Sequence, residues 1–135
     1  MDEVILPREF ISGMLSHGMS AYPDEACGIL AGEGNTAAVL YRAANAESSP
    51  VSYLIDPQEQ FLIMKEIRGK GMRMVAIYHS HPYSPPYPSP TDVKLAFYPD
   101  AAYIIVSLLD RDNPVVKAFE IADGGVREID IKVRD

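Results

Sequence analysis

Residues 72–92 read Met-Arg-Met-Val-Ala-Ile-Tyr-His-Ser-His-Pro-Tyr-Ser-Pro-Pro-Tyr-Pro-Ser-Pro-Thr-Asp, and the change of character halfway along decides which folds can hold them. Met72 to His79 is rich in Val, Ile and Tyr, which suit a buried sheet strand. Five of the nine residues from Pro82 to Pro90 are then proline. Proline neither extends a ladder nor enters a helix interior, so the spacing predicts a stiff surface loop. A helix of about two turns is predicted from Pro90 to Tyr98, with Pro99 closing it.

Working outward, Asp56 and Pro57 supply an N-cap and a first helical residue, and Phe61, Met64 and Ile67 mark an apolar face before Gly69 and Gly71 stop the helix. The strand at Met72 therefore follows a helix, as after a crossover. Further upstream, Pro7 suits the first turn of a helix running to Met19, with Phe10, Ile11, Met14 and Leu15 at helical spacing. Strands are predicted at Ala26 to Ala31 and Thr36 to Ala43 around Gly-Glu-Gly-Asn, and a short one at Ser52 to Ile55. Downstream, Tyr103 to Leu109 is β-prone, and Val115 to Ile121 and Val126 to Val133 flank Asp123-Gly124-Gly125, which reads as a half-buried edge hairpin. The class is α/β with a mixed sheet.

The chain has 135 residues, 47% of them hydrophobic and 23% charged, which fits one folded domain over residues 1–135. A net charge of −7 and the lack of a basic patch argue against nucleic-acid partners. A single cysteine, Cys27, allows no internal disulfide, and no segment approaches the 18 apolar residues of a membrane span. The start lacks the basic region and apolar stretch of a secretion signal, so a cytoplasmic location is expected.

The chemistry lies at the strand end. In extended backbone His79 and His81 point the same way, so both imidazoles can address one point, as zinc requires. Asp92 supplies a third donor eleven residues beyond His81. A purely structural reading also stands: one histidine at the rim and one solvated, with Ser89 as N-cap and Asp92 at N3 of a capping box. The two readings are compatible, since a fixed helix start also fixes where Asp92 points. Two imidazoles and a carboxylate leave a fourth tetrahedral position for water, as in catalytic rather than structural zinc sites. Cys27 among Ile and Leu reads as a small buried hydrophobe, and His17 near a helix C-terminus carries no assigned chemistry.

His-Ser-His, seven residues, Ser, two residues, Asp, spanning His79 to Asp92, resembles the signature of the JAMM (MPN-plus) zinc metalloprotease family. Glu25-Ala26-Cys27-Gly28 resembles the family's upstream glutamate context, which extends the likeness from about Tyr22 to Ser107. The resemblance implies a curved mixed β-sheet flanked by helices, similar to the cytidine deaminase architecture. It implies one zinc ion on His79, His81 and Asp92, Glu25 as general base and Ser89 as oxyanion donor. From the residues alone, Glu33, Glu47, Glu59 and Glu66 compete with Glu25 as bases. The resemblance further implies hydrolysis of the amide after the Gly-Gly tail of a ubiquitin-like carrier. The chain looks most like the bacterial branch that acts on sulfur-carrier proteins and releases cysteine or a short extension. A non-catalytic MPN-like interaction scaffold is the rival reading, and exposed strand edges, the terminal hairpin among them, would suit a homodimer.

Overall fold

A computed structural model describes residues 1–135. The elements run β1 (Glu3–Pro7), α1 (Arg8–Ala21), β2 (Cys27–Glu33), β3 (Thr36–Ala43), α2 (Pro57–Gly69), β4 (Arg73–His81), α3 (Pro90–Lys94), β5 (Ala102–Ser107), β6 (Val115–Ala122) and β7 (Gly125–Arg134). The sheet is mixed and so strongly curved that it closes, in the order β1-β3-β2-β4-β5-β6-β7 and back to β1. β4 pairs antiparallel with β2 and parallel with β5, so the strand that carries both histidines is held on each side.

Because successive strand residues face opposite ways, the sheet feeds two apolar layers. Leu30, Tyr78, Ile104, Val106 and Ala118 face Met14 of α1, while Ile29, Ile77, Tyr103, Ile105 and Phe119 face Ile63 and Ile67 of α2. The predicted α/β class and mixed sheet flanked by helices are what the chain adopts. No helix is long and apolar enough to cross a membrane.

Four local expectations need correction. Residues 3–7 form a strand, and Pro7 stands before the helix rather than in its first turn: its φ of −56° suits either state, but its ψ of 142° is extended. This strand pairs with β7 from Glu3↔Asp130 to Pro7↔Arg134, so the terminal hairpin is not a free edge. Ser52 to Ile55 makes only an isolated bridge, Asn45↔Ile55. There the Asn45 side chain takes Ser52 O and Leu54 N–H, the groups a ladder would have used. Finally, α3 ends at Lys94 rather than Tyr98. Leu95 and Phe97 are exposed, so a second turn has no buried face to hold it. The Asp123-Gly124 turn is as expected, with φ of 52° and 76°.

Gly28 has a strict reason to be glycine. A Cβ there would lie 2.3 Å from the ring of its cross-strand neighbour Tyr78 and 2.4 Å from Tyr41 O. Gly28→Ala must displace a fully buried phenol or the β3 backbone. We expect it to lower the unfolding free energy by about 2–3 kcal/mol, read by urea denaturation. An unchanged midpoint and slope would contradict the packing described.

Candidate metal centre

His79 and His81 leave the end of β4 on the face turned toward α2, and both are buried. Asp92 returns to them from the first turn of α3. The loop between is stiff and also pinned: His81 Nδ1 donates to Pro85 O at 2.9 Å, and Ser107 Oγ donates to Ser84 O at 2.7 Å. The Tyr87 ring packs edge-on against Phe119. At the helix start, Ser89 Oγ accepts the Asp92 N–H at 3.0 Å and Asp92 Oδ2 accepts the Ser89 N–H at 2.9 Å, forming a capping box. The cap and the ligand reading thus share one side chain, because the capping oxygen Oδ2 is also the atom presented to the imidazoles.

His79 Nε2 lies 3.0 Å from His81 Nε2, and each lies 3.1 Å from Asp92 Oδ2. Two neutral imidazoles do not satisfy this triangle. With His81 Nδ1 donating to Pro85 O, a neutral His81 presents a bare Nε2 toward a carboxylate oxygen, lone pair against lone pair. Either His81 is protonated or a cation sits among the three atoms. Burial and the charged partners act in opposite directions here. Burial pushes the His79 pKa down, and the same burial of His81 is outweighed by Asp92 and Pro85 O, which raise it. Asp92 is desolvated too, yet the two imidazoles hold its carboxyl far below the usual range.

The donor set fits zinc. Four ligands at about 2.0–2.1 Å from a tetrahedral ion lie roughly 3.3 Å apart, close to the observed triangle, and three protein donors leave one position open. His79 Nδ1 has no hydrogen-bond partner. Its ring is fixed by packing instead, with Tyr53 stacked on it at 4.5 Å between centroids and 22° between planes.

Glu25 precedes β2 and is 3% exposed, whereas Glu33, Glu47 and Glu66 are exposed, and Glu59 lends Oε1 to Ala44 N–H. Burial separates Glu25 from its competitors, a distinction that spacing along the chain does not carry. Glu25 Oε1 has no hydrogen-bond partner. Burial pushes its pKa up to about 8, His81 opposes the rise, and Asp92 and Glu47 add to it. Cys27 is buried with its thiol pushed up to about 12, mainly by burial, which removes any nucleophilic role near neutrality. His17 pairs through Nδ1 with the Tyr78 hydroxyl at 2.7 Å. Sequence reading overlooked Tyr53 and Asn45, because nothing in a short irregular segment signals a stacked ring or a branching carboxamide.

The raised Glu25 pKa makes a testable statement about stability. Between about 4.5, its ordinary value, and about 8 the folded protein binds more protons at this carboxyl than the unfolded chain. Without metal, stability at this site therefore falls as pH rises through that window and levels off above it. Glu25→Gln removes the penalty. In chelator, we expect the variant to be more stable than the wild type by roughly 1–3 kcal/mol at pH 8.5, and equal to it near pH 4. A difference that does not change with pH would refute the buried-carboxyl account.

Residues 7–122 match the family model described as prokaryotic homologs of the JAB domain. The chain is 38% identical over 132 residues to the CysO-cysteine peptidase of Mycobacterium tuberculosis, covering 96% of this chain and 90% of that one. It is 40% identical over 114 residues to the desampylase of Haloferax volcanii, covering 82% and 79% of the two chains. The fold matches a crystal structure of a JAB1/MPN domain protein from Archaeoglobus fulgidus with a TM-score of 0.63, at 21% identity, over 98% of this chain and 97% of that one.

Proposed function

The chain belongs to the prokaryotic JAB-domain family and is a JAMM-type hydrolase, and from that premise we propose that residues 1–135 act as a single domain, a zinc-dependent peptidase that hydrolyses the amide bond after the Gly-Gly C-terminus of a ubiquitin-like sulfur-carrier protein. The released group is cysteine or a short extension. The observation that carries this reading is the convergence of His79 Nε2, His81 Nε2 and Asp92 Oδ2 within 3.1 Å, with Asp92 also lining an apolar groove.

His79, His81 and Asp92 would hold the zinc ion, which when bound lowers the pKa of water toward about 7 and polarises a carbonyl. The rest is the work of the chain. Glu25, buried and with a bare Oε1, accepts the proton of the attacking water and passes it to the leaving amine nitrogen. Ser89 accepts through its oxygen from Asp92 N–H, so its hydroxyl proton is free to be donated to the oxyanion. Tyr53, stacked on His79, keeps one imidazole face dry.

The groove has a volume of about 200 Å³ and runs from Asp92 past Tyr53, Leu54, Gln60, Leu95 and Phe97. Its walls carry no charge apart from Asp92, which suits an uncharged extended tail rather than a basic or acidic peptide. Glycines beside the scissile bond let the substrate backbone come close to the donors. Names of relatives as a peptidase and a desampylase support peptide-type bonds as the target.

The test is cleavage of a Gly-Gly-tailed carrier bearing a C-terminal cysteine or short extension, followed by mass spectrometry. We expect release of the extension at the Gly-Gly boundary, abolished by chelator and restored by zinc. Cleavage that persists in chelator would overturn the mechanism, and cleavage elsewhere would overturn the substrate assignment.

A further inference from the structure

β2 begins at Cys27, so Glu25 and Ala26 lie just outside the ladder, and their backbone groups are taken by partners from two directions. Ser80, between the two histidines, faces the opposite side of β4, against Gly18 of α1, and is 1% exposed. Its Oγ accepts the Ala26 N–H at 2.8 Å, and its own N–H donates to Ala26 O at 3.0 Å. On the other flank, Asn45 Nδ2 donates to Glu25 O at 3.1 Å and to Ser52 O at 3.0 Å. Asn45 Oδ1 accepts the N–H groups of Glu47 and Leu54 at 3.0 and 3.1 Å, and Glu25 N–H donates to Ser49 O at 2.8 Å. All four polar backbone groups of the two residues are thus occupied. By contrast, Glu25 Oε1 has no partner. The aim of the carboxylate is therefore set through the backbone that carries it.

We propose that the Ser80 hydroxyl and the Asn45 carboxamide are positioning residues that clamp the Glu25–Ala26 peptide and so hold the general base at its working distance from the centre, an inference that rests on the reading of Glu25 as base. Ser80 ties the base to the strand that bears the histidines. Asn45 ties it to Ser52 and Leu54, and hence to the segment that carries Tyr53 over His79. A displacement of about 1 Å in such a group costs on the order of 10²-fold in rate, while ground-state binding and the metal donors are untouched.

The experiment compares zinc-loaded wild type with Ser80→Ala, Ser80→Thr, Asn45→Ala and Glu25→Gln on the Gly-Gly carrier, with zinc content and amide hydrogen exchange measured on the same samples. Ser80→Ala is expected to lower kcat about 10- to 100-fold with KM within about twofold and full zinc content. Asn45→Ala is expected to lower kcat by a similar factor with full zinc content, and to raise KM as well, because Asn45 also braces Leu54 of the groove wall. In Ser80→Ala the Ala26 amide should exchange faster, with Ile29 and Leu30 unchanged. Ser80→Thr keeps the hydroxyl, and kcat should return to within about threefold of wild type. If Ser80→Ala does not fold, Asn45→Ala decides from the opposite flank. Wild-type kcat in the folded clamp variants, or zinc loss in step with kcat, overturns the inference. Wild-type activity in Glu25→Gln removes the base assignment and the inference with it; loss in Glu25→Gln alone leaves the base and removes the clamp.

Discussion

Glu25→Gln protein is expected to take up one zinc ion per chain and still turn over about 10³-fold more slowly than wild type, a general-base contribution removed with the donors left in place. The expectation follows from where the carboxyl stands. It is buried and acts electrostatically on His81 and Asp92, but it makes no hydrogen bond to any of the three donor side chains. Gln preserves the volume and keeps a carbonyl oxygen, so packing beside Ala26 and Cys27 is retained and only the proton acceptor is lost. The same change should make the metal-free protein more stable at pH 8.5. A residue that costs stability and supports turnover marks a site kept for function. Zinc analysis beside kcat measures the separation; near-wild-type turnover, or loss of zinc along with turnover, would assign Glu25 a different role.

How much of this was legible in the sequence depended on how locally each feature is encoded. The donor triangle was, because two residues apart on a strand and a capping box at a helix start are both short-range geometries. His79, His81, Ser89 and Asp92 carry their relation in their spacing. Glu25 was not selected by its own neighbourhood, since five glutamates compete until burial distinguishes one. The α/β class followed from the alternation of β-prone runs with helical periodicity, and its closure did not. β1 is five residues long, and its value lies in partners more than a hundred positions away. Ser52 to Ile55 has strand composition but not strand pairing, because a side chain from Asn45 takes its polar groups. Such long-range hydrogen bonds leave no periodic trace along the chain, and the Ser80 and Asn45 clamp is of the same kind.

Asp92→Asn isolates the second large effect. Asp92 Oδ2 serves two partners at once, capping α3 through Ser89 N–H and facing both imidazoles. An alanine would remove both functions and confuse a frayed helix with a lost ligand. Asparagine keeps a carbonyl oxygen able to accept the Ser89 N–H, and its backbone N–H still donates to Ser89 Oγ, so the five-residue α3 keeps its cap. What disappears is the negative charge. The site is desolvated, and a divalent ion there would face two neutral imidazoles and a neutral amide with no carboxylate to offset its charge. We expect zinc affinity to fall by at least about 10²-fold, and turnover to fall below detection at substoichiometric zinc. The fold should hold, since α3 packs at the rim and contributes no buried residue. Far-ultraviolet circular dichroism would check the fold, and competition with a chromogenic chelator would read the affinity. Retention of wild-type zinc affinity in a folded Asp92→Asn protein would mean that Asp92 is a helix cap and nothing more, and the metal centre would have to be sought without it.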